Sequence, residues 1–370
     1  MIVYIHIPFC HRICPYCSFY KHTPGDTDKR AFIQAILKEA QHAASLYWPN
    51  SSSSTNRIST LYLGGGTPSM LSPGHLTDLF EGLHQTLPLE NTHITLEANP
   101  ATFGTSKTTL FKTLGINRIS LGIQSFHNDV LQTLGREHNS NQASESVRTL
   151  QDADMEEINI DLMFSVPGQT MDDWKHTLDT AISLKPDHIS AYNLTYEEDT
   201  EFIKKLTQGE YKESEDSNAD MFSLAHDTLS EAGFHHYETS NYALPGKESQ
   251  HNLAYWQGTD YIGLGPSAVS TIQGTRWKNL PNTDGYINAI KTIGHAKSNA
   301  ETIDQDAFRI ERIALLLRTT EGLPEVYLSE SPEGSVQNLL DNHLAKINGG
   351  KLRLINNGPL LVDSIAAQLI

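Results

Sequence analysis

The sequence predicts an α/β fold: an open, partial (β/α)6 barrel followed by a smaller α+β unit. Three observations carry this reading. Short β-type runs alternate with helical patterns along the first two thirds of the chain, which implies parallel strands joined by right-handed crossovers. The chemically distinctive residues fall at or just past the carboxyl ends of those runs, where barrels build their sites. A doubly wound sheet would gather them at one switch point instead.

The β-type runs are Ile2–Ile7, Thr60–Leu63, His93–Glu97, Arg118–Ile123, Ile158–Phe164 and His188–Leu194. Helical patterns occupy Lys29–Leu46, Pro73–Leu87, Lys107–Leu114, Asn141–Gln151 and Met171–Leu184. In the first of these, Phe32, Ile33, Ile36, Leu37 and Ala40 form an apolar stripe at helical spacing. Asp172 and Asp173 suit the positive end of the last. Ser51–Thr55 reads as a solvated loop. Composition changes near Tyr237, and residues 237–285, rich in Tyr, Trp, Asn, Gly and His, read as irregular structure. Helices over Phe308–Arg318 and Ser335–Lys346 follow, then a hairpin of Lys351–Ile355 and Leu360–Val362 turning at Asn356-Asn357-Gly358. The expected units are therefore 1–236 and 237–370. Helix plus hairpin resembles a winged-helix module, but only Lys351 and Arg353 mark the wing, so packing is its expected role rather than DNA binding.

The chain has 370 residues, with 27 Lys and Arg against 44 Asp and Glu, a net charge of −17. Such a surface repels phosphate backbones and anionic lipid, so nucleic acid is not expected as a main partner. No run approaches the roughly 18 apolar residues of a membrane span. The N-terminus reads as a strand rather than a signal peptide, and the expected compartment is the cytoplasm.

The three cysteines are Cys10, Cys14 and Cys17, a C-x3-C-x2-C run after the first strand. An odd, clustered set is no disulfide framework. Thiolates on one loop can hold three corners of an iron–sulfur cubane, with one iron left open. Zinc with His6 or His11 as fourth ligand, or three inert buried thiols, are the alternatives. Gly64-Gly65-Gly66-Thr67-Pro68-Ser69 lets backbone approach a ligand closely, and matches no nucleotide-loop pattern. Glu97 ends an apolar strand, where a carboxylate is costly unless paired or facing a polar cavity. Gln124 ends the next strand. Arg136 can grip a carboxylate bidentately, and Asp161 interrupts an otherwise apolar strand. Each alone also reads as a cap, a surface ion pair or a satisfied core group. Their common position at strand ends favours a ligand site.

The cysteine spacing resembles the radical S-adenosylmethionine (SAM) superfamily. Beyond it, HIPFC (His6–Cys10), GGGTPS (Gly64–Ser69), LEANP (Leu96–Pro100), GIQSF (Gly122–Phe126), LGREH (Leu134–His138), NIDLMFSVPGQT (Asn159–Thr170) and HNLAYW (His251–Trp256) resemble the oxygen-independent coproporphyrinogen III oxidase-like group, in order and over nearly the whole chain. The resemblance implies a [4Fe–4S] cluster on Cys10, Cys14 and Cys17. It implies SAM held by Tyr4, Tyr16, Gly65, Gly66, Thr67, Glu97, Gln124, Arg136 and Asp161, and cleaved to a 5′-deoxyadenosyl radical. That group contains a decarboxylating enzyme and a heme-chaperone branch. The enzyme resembles C-x3-C-x2-C-x-C, whereas Ser18, Phe19 and Tyr20 follow Cys17 here. The enzyme also carries an N-terminal extension, whereas this sequence starts almost at its first strand. Both departures favour the chaperone branch, with heme or another tetrapyrrole, apo-hemoproteins, and a reductant such as flavodoxin or ferredoxin as implied partners. SAM-dependent oxidative decarboxylation of coproporphyrinogen III is the alternative. His251, with aromatic neighbours, is the expected heme ligand. Val269 stands where related runs carry histidine.

Overall fold

The computed structural model describes residues 1–49 and 57–370, so the Ser51–Thr55 tract lies outside the described residues. Six parallel strands lie side by side in chain order: β1 (Ile2–Ile7), β2 (Thr60–Gly65), β3 (His93–Ala98), β4 (Arg118–Gln124), β5 (Glu157–Phe164) and β6 (His188–Asn193). Because the order never reverses, right-handed crossovers place the connecting helices on one face, and the sheet curls as a barrel does.

The strands alternate rather than running apolar throughout. Leu61, Leu63, Ile94, Leu96, Ile119, Leu121, Ile158, Ile160 and Leu162 are buried in the main core. Between them fall Tyr62, Thr95, Glu97, Ser120, Asn159, Asp161, Ser190 and Tyr192, which meet across the inner face. Parallel sheets covered on both faces usually read as continuous apolar runs. Here the period-2 pattern records a polar barrel interior.

The helices follow from local chemistry. In α1 (Lys29–Tyr47) the Asp28 side chain accepts from the Arg30 and Ala31 amides, and Phe32, Ile33, Ile36 and Ala40 are buried. Next come α2 (Pro73–Thr86), α3 (Thr105–Thr113), the short α4 (Asn128–Thr133), α5 (Ser140–Asp152) and α6 (Met171–Ser183). Capping boxes start α5 (Asn139 with Gln142) and α6 (Thr170 with Asp173).

Residues 237–302, expected in the C-terminal unit and with 237–285 read as irregular, instead widen this sheet. After α7 (Glu201–Thr207) and α8 (Glu215–Glu231), β7 (His235–Glu238) and β8 (Asn241–Ala243) extend it antiparallel beyond β6. The expected boundary at 236/237 thus cuts through β7. On the other edge, β9 (Tyr261–Leu264) pairs parallel with β1, and β10 (Val269–Ile272), β11 (Thr275–Asn279) and β12 (Lys297–Thr302) follow antiparallel. Between these two sets, α9 is Gln250–Trp256; α10 (Thr283–Ile293) packs on α1.

A second apolar core gathers Ile313, Leu317, Leu323, Leu339, Leu352, Val362 and Leu369. It is built by α11 (Gln305–Leu316), β13 (Leu323–Pro324), α12 (Ser335–Asp341), β14 (Ala345–Asn348), β15 (Lys351–Leu354) and α13 (Val362–Leu369). The hairpin is β14–β15, turning at Gly349-Gly350 rather than at Asn356-Asn357-Gly358. Both glycines have positive φ (61° and 71°), as a two-residue turn of the I′ type requires. Leu360–Val362, expected as a strand, leads through a 3-10 turn into α13.

One buried carboxylate ties the edge strands to α1. Glu39 accepts from the Gly265 amide (2.8 Å), the Asn279 side-chain amide (2.7 Å) and the Tyr286 hydroxyl (2.7 Å). Glu39→Ala takes the acceptor from the buried Gly265 amide and Tyr286 hydroxyl and one of two from the Asn279 amide, which keeps Gly265 O (3.0 Å), and is expected to cost about 3 kcal/mol. Urea unfolding checks this, and a loss below about 0.5 kcal/mol would show the tie to be idle.

Candidate functional site

The loop after β1 carries the thiols and is stitched down at both ends. Cys10 N–H donates to His22 O (3.0 Å), His22 N–H to Pro8 O (2.9 Å), and Cys17 N–H to Cys14 O (3.3 Å). Lys21 Nζ donates to Cys17 O. The end of β2 holds the same loop from below, with Gly66 N–H on Ile7 O and Thr67 N–H on Phe9 O, both 2.8 Å.

These contacts explain the glycine run. Gly65 has φ +108°, and a Cβ there would lie 2.4 Å from the His6 ring; at Gly66 it would lie 2.7 Å from Phe9 O. The glycines let two strand ends touch, and the Gly66 amide is already committed to Ile7. Its part toward a ligand is therefore to shape the wall, with its amide unavailable as a donor.

All three cysteines are half-buried and unpaired. They line one cavity of about 380 Å³ together with Tyr16, Gly65, Gly66, Thr67, Glu97, Gln124, Arg136 and Asp161. Eleven of the expected site residues thus converge on one space. Tyr4 does not. Its hydroxyl meets His6 Nδ1 (3.1 Å) and its ring stacks on Tyr62 (6.2 Å), so it reaches the cavity only through Tyr62, itself in the wall. Tyr62, Asn99, Ser120 and Tyr192 also line the cavity but were not anticipated. Period-2 counting from Glu97 reaches Asn99, whereas Tyr62, Ser120 and Tyr192 stand on the neighbouring strands β2, β4 and β6 and are brought to the wall by the parallel register.

The wall is chemically uneven. Glu97 accepts from Tyr62 OH (3.0 Å) and the Gly65 amide (3.1 Å). Burial, with Asp161 adding repulsion, pushes its carboxyl up to about 7. Asp161 accepts from Asn159 Nδ2 (2.7 Å) and Ser120 Oγ (3.0 Å); burial raises it too, against those hydrogen bonds. Arg136 donates to Asn99 Oδ1 (2.7 Å) and Gly122 O, and approaches Cys14 Sγ at 3.7 Å. Two carboxylates and one guanidinium around soft thiols suit a ligand carrying both cationic and carboxylate groups.

Among the described residues no three His, Cys, Asp or Glu side chains converge on a single-ion site. The zinc alternative also loses its histidines. His6 Nε2 donates to Tyr20 O (2.7 Å) and its Nδ1 is met by Tyr4, while His11 pairs with Glu137 (2.8 Å) in solvent. Three soft thiolates in the wall of one cavity are the donor set that an iron–sulfur cluster takes. Burial pushes the Cys10 thiol up to about 11, so loading a metal there must expel protons.

His251 lies elsewhere. On α9, its Nδ1 meets Thr60 Oγ1 (2.7 Å), at the amino end of β2 and opposite the thiols. The ring stacks on Tyr62 (4.9 Å) and is 3% exposed, with Nε2 buried and without a partner. As folded, it presents no ligand to a heme on the thiol side. Val269 lies in β10 opposite Lys278.

The radical SAM superfamily model matches residues 4–181. The chain is 37% identical to a protein of Lactococcus lactis subsp. lactis named heme chaperone HemW, over 86% of this chain and 82% of that protein. It is 33% identical to the Bacillus subtilis protein of that name, over 92% and 89%. A solved structure of coproporphyrinogen III oxidase (HemN) from Escherichia coli, titled a radical SAM enzyme, superposes with a TM-score of 0.81 at 21% identity, over 100% of this chain and 89% of that one.

Burial lowers His251 to about 3, so the folded state refuses a proton that the unfolded chain takes near pH 6.5. The contribution is complete above the unfolded value and drains as pH falls below it, by about 1.4 kcal/mol per pH unit. Urea unfolding from neutral pH down to about pH 5 should show a shallower acid loss in His251→Gln than in the parent. Equal slopes would mean that the ring is hydrated in solution.

Proposed function

We propose that this chain, which belongs to the radical SAM superfamily and within it to the family of the HemW proteins, binds heme and delivers it to apo-hemoproteins. The observation that carries the reading is a three-thiol loop over a cavity of about 380 Å³ in a chain aligned over most of its length with proteins named heme chaperones. Phe19, where the decarboxylase pattern has a fourth cysteine, is exposed and lies in the cavity wall, with no thiol to offer there.

Cys10, Cys14 and Cys17 would hold the cluster, leaving one iron without a protein thiolate. Glu97, Asp161 and Arg136 would orient SAM: the carboxylates face its cationic groups, and the guanidinium suits its carboxylate. When bound, cluster and SAM supply one-electron chemistry. A soluble reductant such as flavodoxin or ferredoxin would feed it, and the cytoplasm is the proposed place of work. Heme is cargo in this reading, and His251 can serve as its axial ligand only after α9 shifts.

The test is heme transfer from cluster-reconstituted protein to an apo-hemoprotein under anaerobic conditions, with coproporphyrinogen III, SAM and reductant in a parallel assay. Transfer without conversion to protoporphyrinogen IX is expected. Catalytic conversion would replace the chaperone reading with decarboxylation.

Two variants address the cofactor site. Cys14→Ser should remove the visible absorption of the cluster and lower bound iron to near background while leaving the far-ultraviolet circular dichroism unchanged. Glu97→Gln should weaken SAM binding about tenfold, or about 1.4 kcal/mol, in equilibrium dialysis. Unchanged affinity would remove Glu97 from the ligand's surroundings.

A further inference from the structure

Across the barrel floor, Asp161, Asn159, His188, Tyr237 and Ser249 form one unbroken hydrogen-bonded path. The links are Asn159 Nδ2 to Asp161 Oδ1 (2.7 Å), His188 Nδ1 to Asn159 Oδ1 (2.6 Å), Tyr237 OH to His188 Nε2 (2.7 Å) and Ser249 N–H to Tyr237 OH (3.1 Å). Asn159, His188, Tyr237 and Ser249 are all buried.

The direction of every proton follows from the ends. An ionised Asp161 can only accept, so Asn159 turns its amide nitrogen toward it. The same nitrogen also reaches Ser120 Oγ (2.7 Å) and Ser190 Oγ (3.1 Å). Asn159 Oδ1 is then the acceptor, and His188 must carry its proton on Nδ1. Burial holds His188 well below its ordinary value, so the ring is neutral and Nε2 accepts. Tyr237 therefore donates its hydroxyl proton to His188, and its oxygen receives the Ser249 amide. All donors point the same way, toward the carboxylate, and such chains polarise one another.

The far end of the path is the start of α9. Ser249 is the N-cap of that helix, accepting from the Asn252 amide (3.3 Å), and α9 carries His251. We propose that Asn159, His188 and Tyr237 are positioning residues that aim the Asp161 carboxylate into the cavity and couple its occupancy to the seating of α9. The coupling rests on the proposed SAM site. A cation drawn to Asp161 takes part of its negative charge, which weakens the pull on Asn159 and shifts each link in turn. Occupancy on the thiol side thereby reaches a helix on the opposite side of the barrel without any contact between ligand and helix.

The experiment is hydrogen exchange of cluster-reconstituted full-length protein, with and without saturating SAM, read at residues 249–256. SAM binding is measured first, by equilibrium dialysis, on each variant. In the parent, SAM should change exchange across α9 by about fivefold. Tyr237→Phe removes the hydroxyl in the middle of the path and should bind SAM with no α9 response. Tyr255→Phe, which touches His251 from within α9 but lies off the path, should keep the response. His188→Gln, whose amide can donate to Asn159 and accept from Tyr237, should keep it also, whereas His188→Leu should lose it. The His188 pair decides the matter if Tyr237→Phe does not fold. A response that survives in Tyr237→Phe or His188→Leu, or a parent that binds SAM with α9 unchanged, would overturn the coupling alone. A parent that binds no SAM would overturn the cofactor reading and the coupling with it.

Discussion

The constraint on which the site depends is the pair of half-buried carboxylates on the inner face of a parallel barrel. Glu97 and Asp161 are flanked by strands whose other faces are fully apolar. A buried charge without partners is intolerable, so the neighbouring inward positions are filled by groups that can donate. Tyr62 and the Gly65 amide serve Glu97, while Ser120 and Asn159 serve Asp161. The Gly65 bond clamps the end of β3 onto the end of β2. The next two amides of β2 and its loop, Gly66 and Thr67, clamp onto the carbonyls that precede Cys10. The position of the thiol loop is thereby inherited from the solvation of a carboxylate three strands into the sheet.

The same arrangement explains what could be read from the sequence. The six barrel strands, their helices and the three thiols were legible because each has a local signature. These signatures are an apolar period, a cap such as Asp28 or Thr170, or a residue type that has no business in a solvated loop. The edge strands were not legible. Tyr261–Leu264 and Val269–Ile272 are only four residues each, and β9 becomes a strand by pairing with the open edge of β1, β10 in turn by pairing with β9. The hairpin was misplaced because Asn-Asn-Gly is a strong local turn signal, yet only Gly349-Gly350 has positive φ at both turn positions. His251 was expected at a ligand because histidine among aromatics suits heme. Packing against Thr60 at the far end of β2 is a tertiary fact that no local pattern carries.

The polar path from Asp161 to Ser249 was invisible for a related reason. Its members come from β5, β6, β7 and the cap of α9, and in the sequence each has the look of an ordinary strand or turn residue. Only the parallel register, which sets Asn159 against His188 and Asp161 against Ser190, brings them into line. A barrel of this kind thus carries information across its width through its inward rungs, while its outward rungs do nothing but pack.

Backbone strain marks the same mouth. Ala101, Gln124 and Ser165 adopt left-handed φ of 64°, 72° and 60° just at or beyond the ends of β3, β4 and β5. Left-handed backbone costs a residue with a Cβ about 1 kcal/mol or more, and it persists only where surroundings over-determine it. At Gln124 the cause is on view: the register between β4 and β5 slips between Gly122 and Gln124, passing over Ile123, so that Gln124 pairs with Leu162 and lines the cavity wall. Ser165 is held by its amide on the Met221 sulfur at 3.4 Å. Strain gathered at successive strand ends, on the side that carries the thiols, means that the packed barrel dictates the geometry of the mouth. A ligand entering there meets a wall already set by β3, β4 and β5, and what remains free to respond is the far side of the barrel, where α9 is seated.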